Sequence, residues 1–167
     1  GNLNDGRAHL ERAYAKLEVP TLAVALARVA WRGGDWLGAQ RWYQVALELP
    51  EGPAWRGERQ FGAKDAARRE LLLLEGELPV VVVELAAPMR ALRITLDSQE
   101  LVLSEKRVEL HVNPGTHTLR VSSGNETTVQ QVVGKPGSRT HITLRFEQKG
   151  RQVPPPAVIE PRDDEPL

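Results

Sequence analysis

The sequence contains no cysteine. Disulfide frameworks, thiolate metal sites and cysteine nucleophiles are thereby excluded. It has no net charge either, since 22 Lys and Arg balance 22 Asp and Glu. That argues against a broad basic surface for nucleic acid, and no charge excess would steer an ionic partner. Aromatics make up 5% of the 167 residues, and all four Trp and both Tyr fall before residue 56. No apolar run approaches the ~20 residues that span a bilayer. The runs at 71–74 and 80–83 have four residues, and the longest, 22–27, has six. The start carries no basic leader with an apolar stretch behind it. Any membrane contact is therefore expected only through segments outside this chain.

What is present divides into three regions by composition. Residues 1–77 are rich in Ala, Leu, Arg and Trp and read as helical, with 11 basic and 11 acidic residues up to position 78. Residues 78–148 turn to Val, Thr and short alternating segments. Residues 149–167 form a proline-rich tail, read as an extended spacer. The expected fold class is α+β: a short helical stack, then a small antiparallel β-sandwich of six to seven strands, joined near Glu77 to Pro79.

The helical region repeats itself at a spacing of 33: Gly1 with Gly34, Leu3 with Trp36, Gly6 with Ala39, Leu10 with Tyr43, Ala13 with Ala46. Small residues let helix backbones approach, and the large ones fill the space between them. Pro20 suits a first helical turn. Ala23, Leu26, Ala27 and Ala30 form an amphipathic stripe that Gly33 and Gly34 end. Asp35 is a good N-cap for the next helix. Trp36, Ala39, Tyr43, Ala46 and Leu47 form that helix's buried face, and Pro50 stops it. A third segment carries the stripe Ala63, Ala66, Ala67, Leu71 and Leu74, with Gly76 as its expected end. Trp55, in the loop before it, is read as a staple against that helix. Because Gly1 already lies inside the repeat, the chain reads as an excerpt of a longer protein.

The residues Ala27, Gly34, Trp36, Ala39, Tyr43, Ala46, Leu47 and Pro50 give this region a resemblance to a tetratricopeptide repeat (TPR). The match spans about residues 20 to 50, plus a half-repeat before it. It departs from the family's pattern at Ala23, where Trp is usual, and at Pro50, which comes one residue early. The resemblance implies a partner groove lined by the first helix of the repeat. The positions that match it are Thr21, Val24, Arg28 and Trp31, with Arg32 at the margin. A Trp beside two Arg is the composition of an interaction hot spot. The competing reading packs Trp31 under a neighbouring helix and leaves the arginines to solvent.

Alternation of period 2 marks strands at 92–96, 108–112, 117–121 and 142–146. Turn signals separate them at Asp97-Ser98, Asn113-Pro114-Gly115, Ser123-Gly124-Asn125 and Lys135-Pro136-Gly137. The stretch from Asn113 to Val121 resembles the turn and strand of PEGA-like domains, small β-sandwiches of bacterial envelope proteins. The Pro-Glu-Gly-Ala stretch itself is absent, with Ala86-Ala87-Pro88-Met89 near its place.

Chemistry finds little support. Strand parity puts His117 on the apolar face with Leu119 and Val121, and His111 and His141 on polar faces, so these histidines do not converge on a metal. No Gly-x-Ser-x-Gly elbow or phosphate loop occurs. No enzyme activity, cofactor or metal is expected. The resulting expectation is a non-catalytic protein–protein interaction or scaffold module of a bacterial envelope complex. Its helical groove would take a peptide or protein partner, and its sandwich would serve as docking domain or spacer. The resemblances place it in the periplasm or cell envelope. The alternative is a carbohydrate or cell-wall binding module acting through the sandwich, which the lack of Trp and Tyr in that half disfavours.

Overall fold

The computed structural model describes residues 3–53, 55, 57–86, 92–102, 106–123 and 126–144. The tail at 149–167, the strand end at 145–146 and the stretch at 87–89 lie outside these residues. Among the described residues four helices come first: α1 (Leu3–Lys16), α2 (Pro20–Arg32), α3 (Trp36–Glu48) and α4 (Glu58–Glu77). Helices α1 and α3 begin 33 residues apart, as the repeat requires.

Local chemistry sets the boundaries. Pro20 opens α2, where a missing N–H costs nothing. Gly34 takes a left-handed φ of 84° and turns the chain. The Asp35 carboxylate then accepts from Gly38 N at 2.9 Å and caps α3. Helix α4 runs past Gly76, the expected end, to Glu77, and the Leu78 N–H closes the last turn on Leu74 O. A glycine inside a helix ends it only if the chain turns there, and here packing of Leu74 and Leu78 carries the helix on.

Ala23, Ala27, Ala39, Tyr43, Ala46, Ala67 and Leu74 are wholly buried at the centre of the helical unit. Their counterparts in the first copy differ: Gly6 is exposed and Ala13 half-buried. Helix α1 packs against α2, while α2, α3 and α4 each contact the other two. Trp55 packs edge-on against Phe61, ring centroids 5.5 Å apart, and Lys64 Nζ sits 5.1 Å from its ring. The loop is thus stapled to α4.

The strands β1 (Val80–Leu85), β2 (Leu92–Leu96), β3 (Gln99–Leu101), β4 (Arg107–His111), β5 (Gly115–Ser123), β6 (Glu126–Gly134) and β7 (Arg139–Leu144) form two sheets. Their orders are β4-β1-β7 and β3-β2-β5-β6. One core joins them, with Val81, Val83, Leu85, Ile142 and Leu144 from the first facing Ile94, Leu96, Leu119, Val121 and Val132 from the second. All pairings are antiparallel except β1 with β7, which is parallel. These are the first and last strands, so no hairpin dictates their sense. Val81, Val82 and Val83 are each 0% exposed because β1 lies between two strands. On its outer face the Arg139–Glu109 pair, at 2.8 Å, reaches from β7 to β4 and shields Val82.

Candidate functional site

The outer stripe of α2 runs through the half-buried Thr21 and Ala25 and the exposed Arg28 and Arg32, at steps of four, three and four. Three of the five sequence-derived groove residues, Thr21, Arg28 and Arg32, therefore share a face. The other two do not. Val24 is 4% exposed and belongs to the helical core, so it is not available to a partner. Trp31 is half-buried, edge-on to Trp36 at 6.2 Å and to Tyr43 at 6.3 Å. Trp31 is covered by α3, which carries both rings, and α4 packs along α2 as well. Thr21 N–H donates to Gln60 Oε1 at 3.2 Å, and Arg28 reaches Glu70 about two turns further along α2 and nearly three further along α4. These contacts advance together, so α2 and α4 run parallel. Gln40 with Glu75 and Lys64 with Leu47 O advance in opposite senses, so α3 is antiparallel to α4.

Glu70 organises this face. Arg28 donates to it twice, Nε at 2.9 Å and Nη2 at 2.5 Å, in the two-pronged geometry that suits a carboxylate. The Tyr43 hydroxyl donates to Oε2 at 2.6 Å from inside the core. The Arg28 bonds, with the Tyr43 hydroxyl behind them, hold the Glu70 carboxyl below the usual carboxylate range. Burial, and then Glu70 itself, push the Tyr43 phenol up. One carboxylate thus ties α2, α3 and α4 together and fixes Arg28 in place, half its side chain still in solvent.

A second polar cluster lies where the helices meet the sandwich. His117 on β5 faces Asp97 Oδ2 with Nδ1 at 2.8 Å and Asn113 O with Nε2 at 2.7 Å. A carboxylate and a carbonyl have no proton to give, so both bonds form only when the ring is an imidazolium. Burial pulls the His117 pKa down, but the bonds to Asp97 and Asn113 O outweigh it, and the net shift is upward. The His117 bond, then Thr118 N–H on Oδ1 at 2.8 Å, depress the Asp97 carboxyl. The half-buried position of His117 agrees with the apolar face that strand parity gave it. His111 and His141 are exposed, as their parity predicted.

Sequence reasoning missed the next link. The Asn113 side-chain oxygen accepts from Leu37 N–H at 2.9 Å, at the start of α3. A sandwich turn therefore helps to cap a helix of the other unit. The Asn of Asn-Pro-Gly was the available signal, because Asn caps as readily as it turns. Gly137 N–H on Glu77 O at 2.7 Å and Val112 N–H on Pro79 O at 3.0 Å complete the joint. Between Leu37 and the Leu96, Leu110 and His117 side lies a cleft of about 100 Å3. That is well below the roughly 300 Å3 at which small-molecule pockets begin.

Among the described residues no group of three or more His, Asp or Glu is placed to hold a metal ion. No described helix is long and apolar enough to cross a membrane. No family model, curated protein or solved structure matches the chain.

Proposed function

We propose that this chain is a non-catalytic interaction or scaffold module whose working surface is the outer stripe of α2. The supporting observation is Arg28: a cation fixed by Glu70, beside Arg32, on a helix otherwise enclosed by its neighbours. A fixed guanidinium loses less side-chain entropy on binding than a free one. Beside the two arginines lie Thr21, Leu22, Ala25 and Val29, all half-buried. This suits an extended or helical peptide with a carboxylate flanked by apolar groups. The TPR resemblance supports the same face, as the first helix of the repeat. The PEGA-like turn at Asn113 to Gly115 supports a docking or spacer role for the sandwich, in a bacterial envelope complex.

The test is in-cell photocrosslinking from Arg32, since Trp31 is packed. Ala25→Trp, on the same stripe, serves as a steric block. A product that the block and Arg28→Glu both remove is the expected result. A product that both variants leave unchanged would place the partner elsewhere.

A further inference from the structure

Helix α4 carries leucines on two faces. Leu74 is wholly buried, whereas Leu72 is 73% exposed and Phe61, on the same outer face, is 49% exposed. Between them stand Asp65 and Arg68, paired at 2.9 Å and largely in solvent. Phe61, Asp65, Arg68 and Leu72 follow at steps of four, three and four. That is the spacing of a coiled-coil seam. It is out of phase with the core positions Gln60, Ala67 and Leu74 of the same helix.

The order along the seam is apolar, acid, base, apolar. Turned end for end it complements itself. An antiparallel copy with its twofold axis between residues 66 and 67 sets Phe61 against Leu72 of the second copy, and Asp65 against Arg68. The four central charges then alternate around a square, each carboxylate between two guanidinium groups. A parallel copy would instead set like against like. Isologous contact requires this self-complementarity, which an unrelated partner has no reason to share. Gly62 and Gly76 border the seam, and a Cβ at either would meet nothing within 4 Å. Glycine at exposed helix positions costs about 1 kcal/mol relative to Ala, which close approach of a second helix would offset.

We infer that the outer face of α4 is a homodimer contact, in which Phe61 and Leu72 pack crosswise and Asp65 and Arg68 set an antiparallel register. The contact is short, so the dimer is expected to be weak and concentration-dependent. It is independent of the α2 stripe.

Sedimentation velocity on the full chain over a concentration series tests it. Leu72→Glu should raise the dissociation constant at least about tenfold. Asp65→Arg and Arg68→Asp should each weaken association by about tenfold, because each sets like charges face to face. The double reversal should recover the wild-type constant to within about threefold. Circular dichroism melts establish that each variant is folded. The charge-swap rescue separates register from simple loss of helix. A monomer throughout the series overturns the proposal, as when another segment or a different protein covers this face. So does a dimer that survives Leu72→Glu, or single reversals that the double does not rescue.

Discussion

Two side chains each hold several others. Glu70 receives bonds from Arg28 and Tyr43, and His117 spans Asp97 and the Asn113 carbonyl. The second arrangement makes stability depend on pH. With its pKa raised, His117 stabilises the fold fully below about pH 6.5, the ordinary imidazole value. That contribution is lost as pH rises through the higher folded value. With its pKa lowered, Asp97 stabilises above about pH 4 and loses that contribution as pH falls through its folded value. The two contributions overlap between about pH 4 and 6.5. The melting temperature should fall from about pH 6 to about pH 8, and His117→Gln should flatten this slope. An unchanged slope in the variant would assign it to another group.

At the scale of elements, sheet packing leaves no room at the end of β6. A Cβ on Gly134 would lie 3.0 Å from Asn113 O, 3.0 Å from Val112 Cγ2 and 3.2 Å from Pro79 Cβ. The Asn113 carbonyl is held by His117 and cannot give way cheaply. Gly134→Ala should therefore destabilise the chain by about 1–3 kcal/mol, measured by urea unfolding. A neutral result would show that the 112–114 turn yields.

Elements with strong local signals were legible in the sequence. The caps Pro20 and Asp35, the stripe of α3 and the alternation of β2, β4 and β5 each name their own structure. Strand β3 has only three residues, too few to show a period. In β6 the doublets Thr127-Thr128, Gln130-Gln131 and Val132-Val133 blur the alternation, because most of that edge strand is exposed on both faces. The parallel sense of β1 and β7 arises between residues 59 apart, with no local trace. The candidate surface was half legible. The TPR resemblance pointed to Thr21, Arg28 and Arg32, which share a face. The burial of Val24 and Trp31 depends on how neighbouring helices, α3 above all for Trp31, pack around α2, and spacing within α2 carries no information about that.

For the whole molecule, the decisive region is the joint. Glu77, Pro79, Leu37 and Asn113 tie the helical unit to one pole of the sandwich. Two of the three contacts are backbone to backbone, so Asn113 is the side chain through which the joint can be loosened by substitution. Asn113→Ala should cost about 1 kcal/mol by loss of the bond to Leu37. It should also raise the amide exchange of the first turn of α3 while leaving the sandwich core protected, read by hydrogen exchange. Equal loss of protection in both units would mean that they unfold as one.

The parallel pairing of β1 and β7 has a mechanical consequence. Val80 N–H bonds to Ser138 O at the helical pole, and Ala86 N–H to Leu144 O at the other. A tether to the helices pulls on β1 from one pole, while a tether beyond Leu144 pulls on β7 from the opposite pole. The six residue pairs between them are then loaded together in shear rather than unzipped one at a time. Stretched between its two attachments, the sandwich resists as a clasp. Pulled across the hairpin of β5 and β6 instead, the same domain should open at lower force.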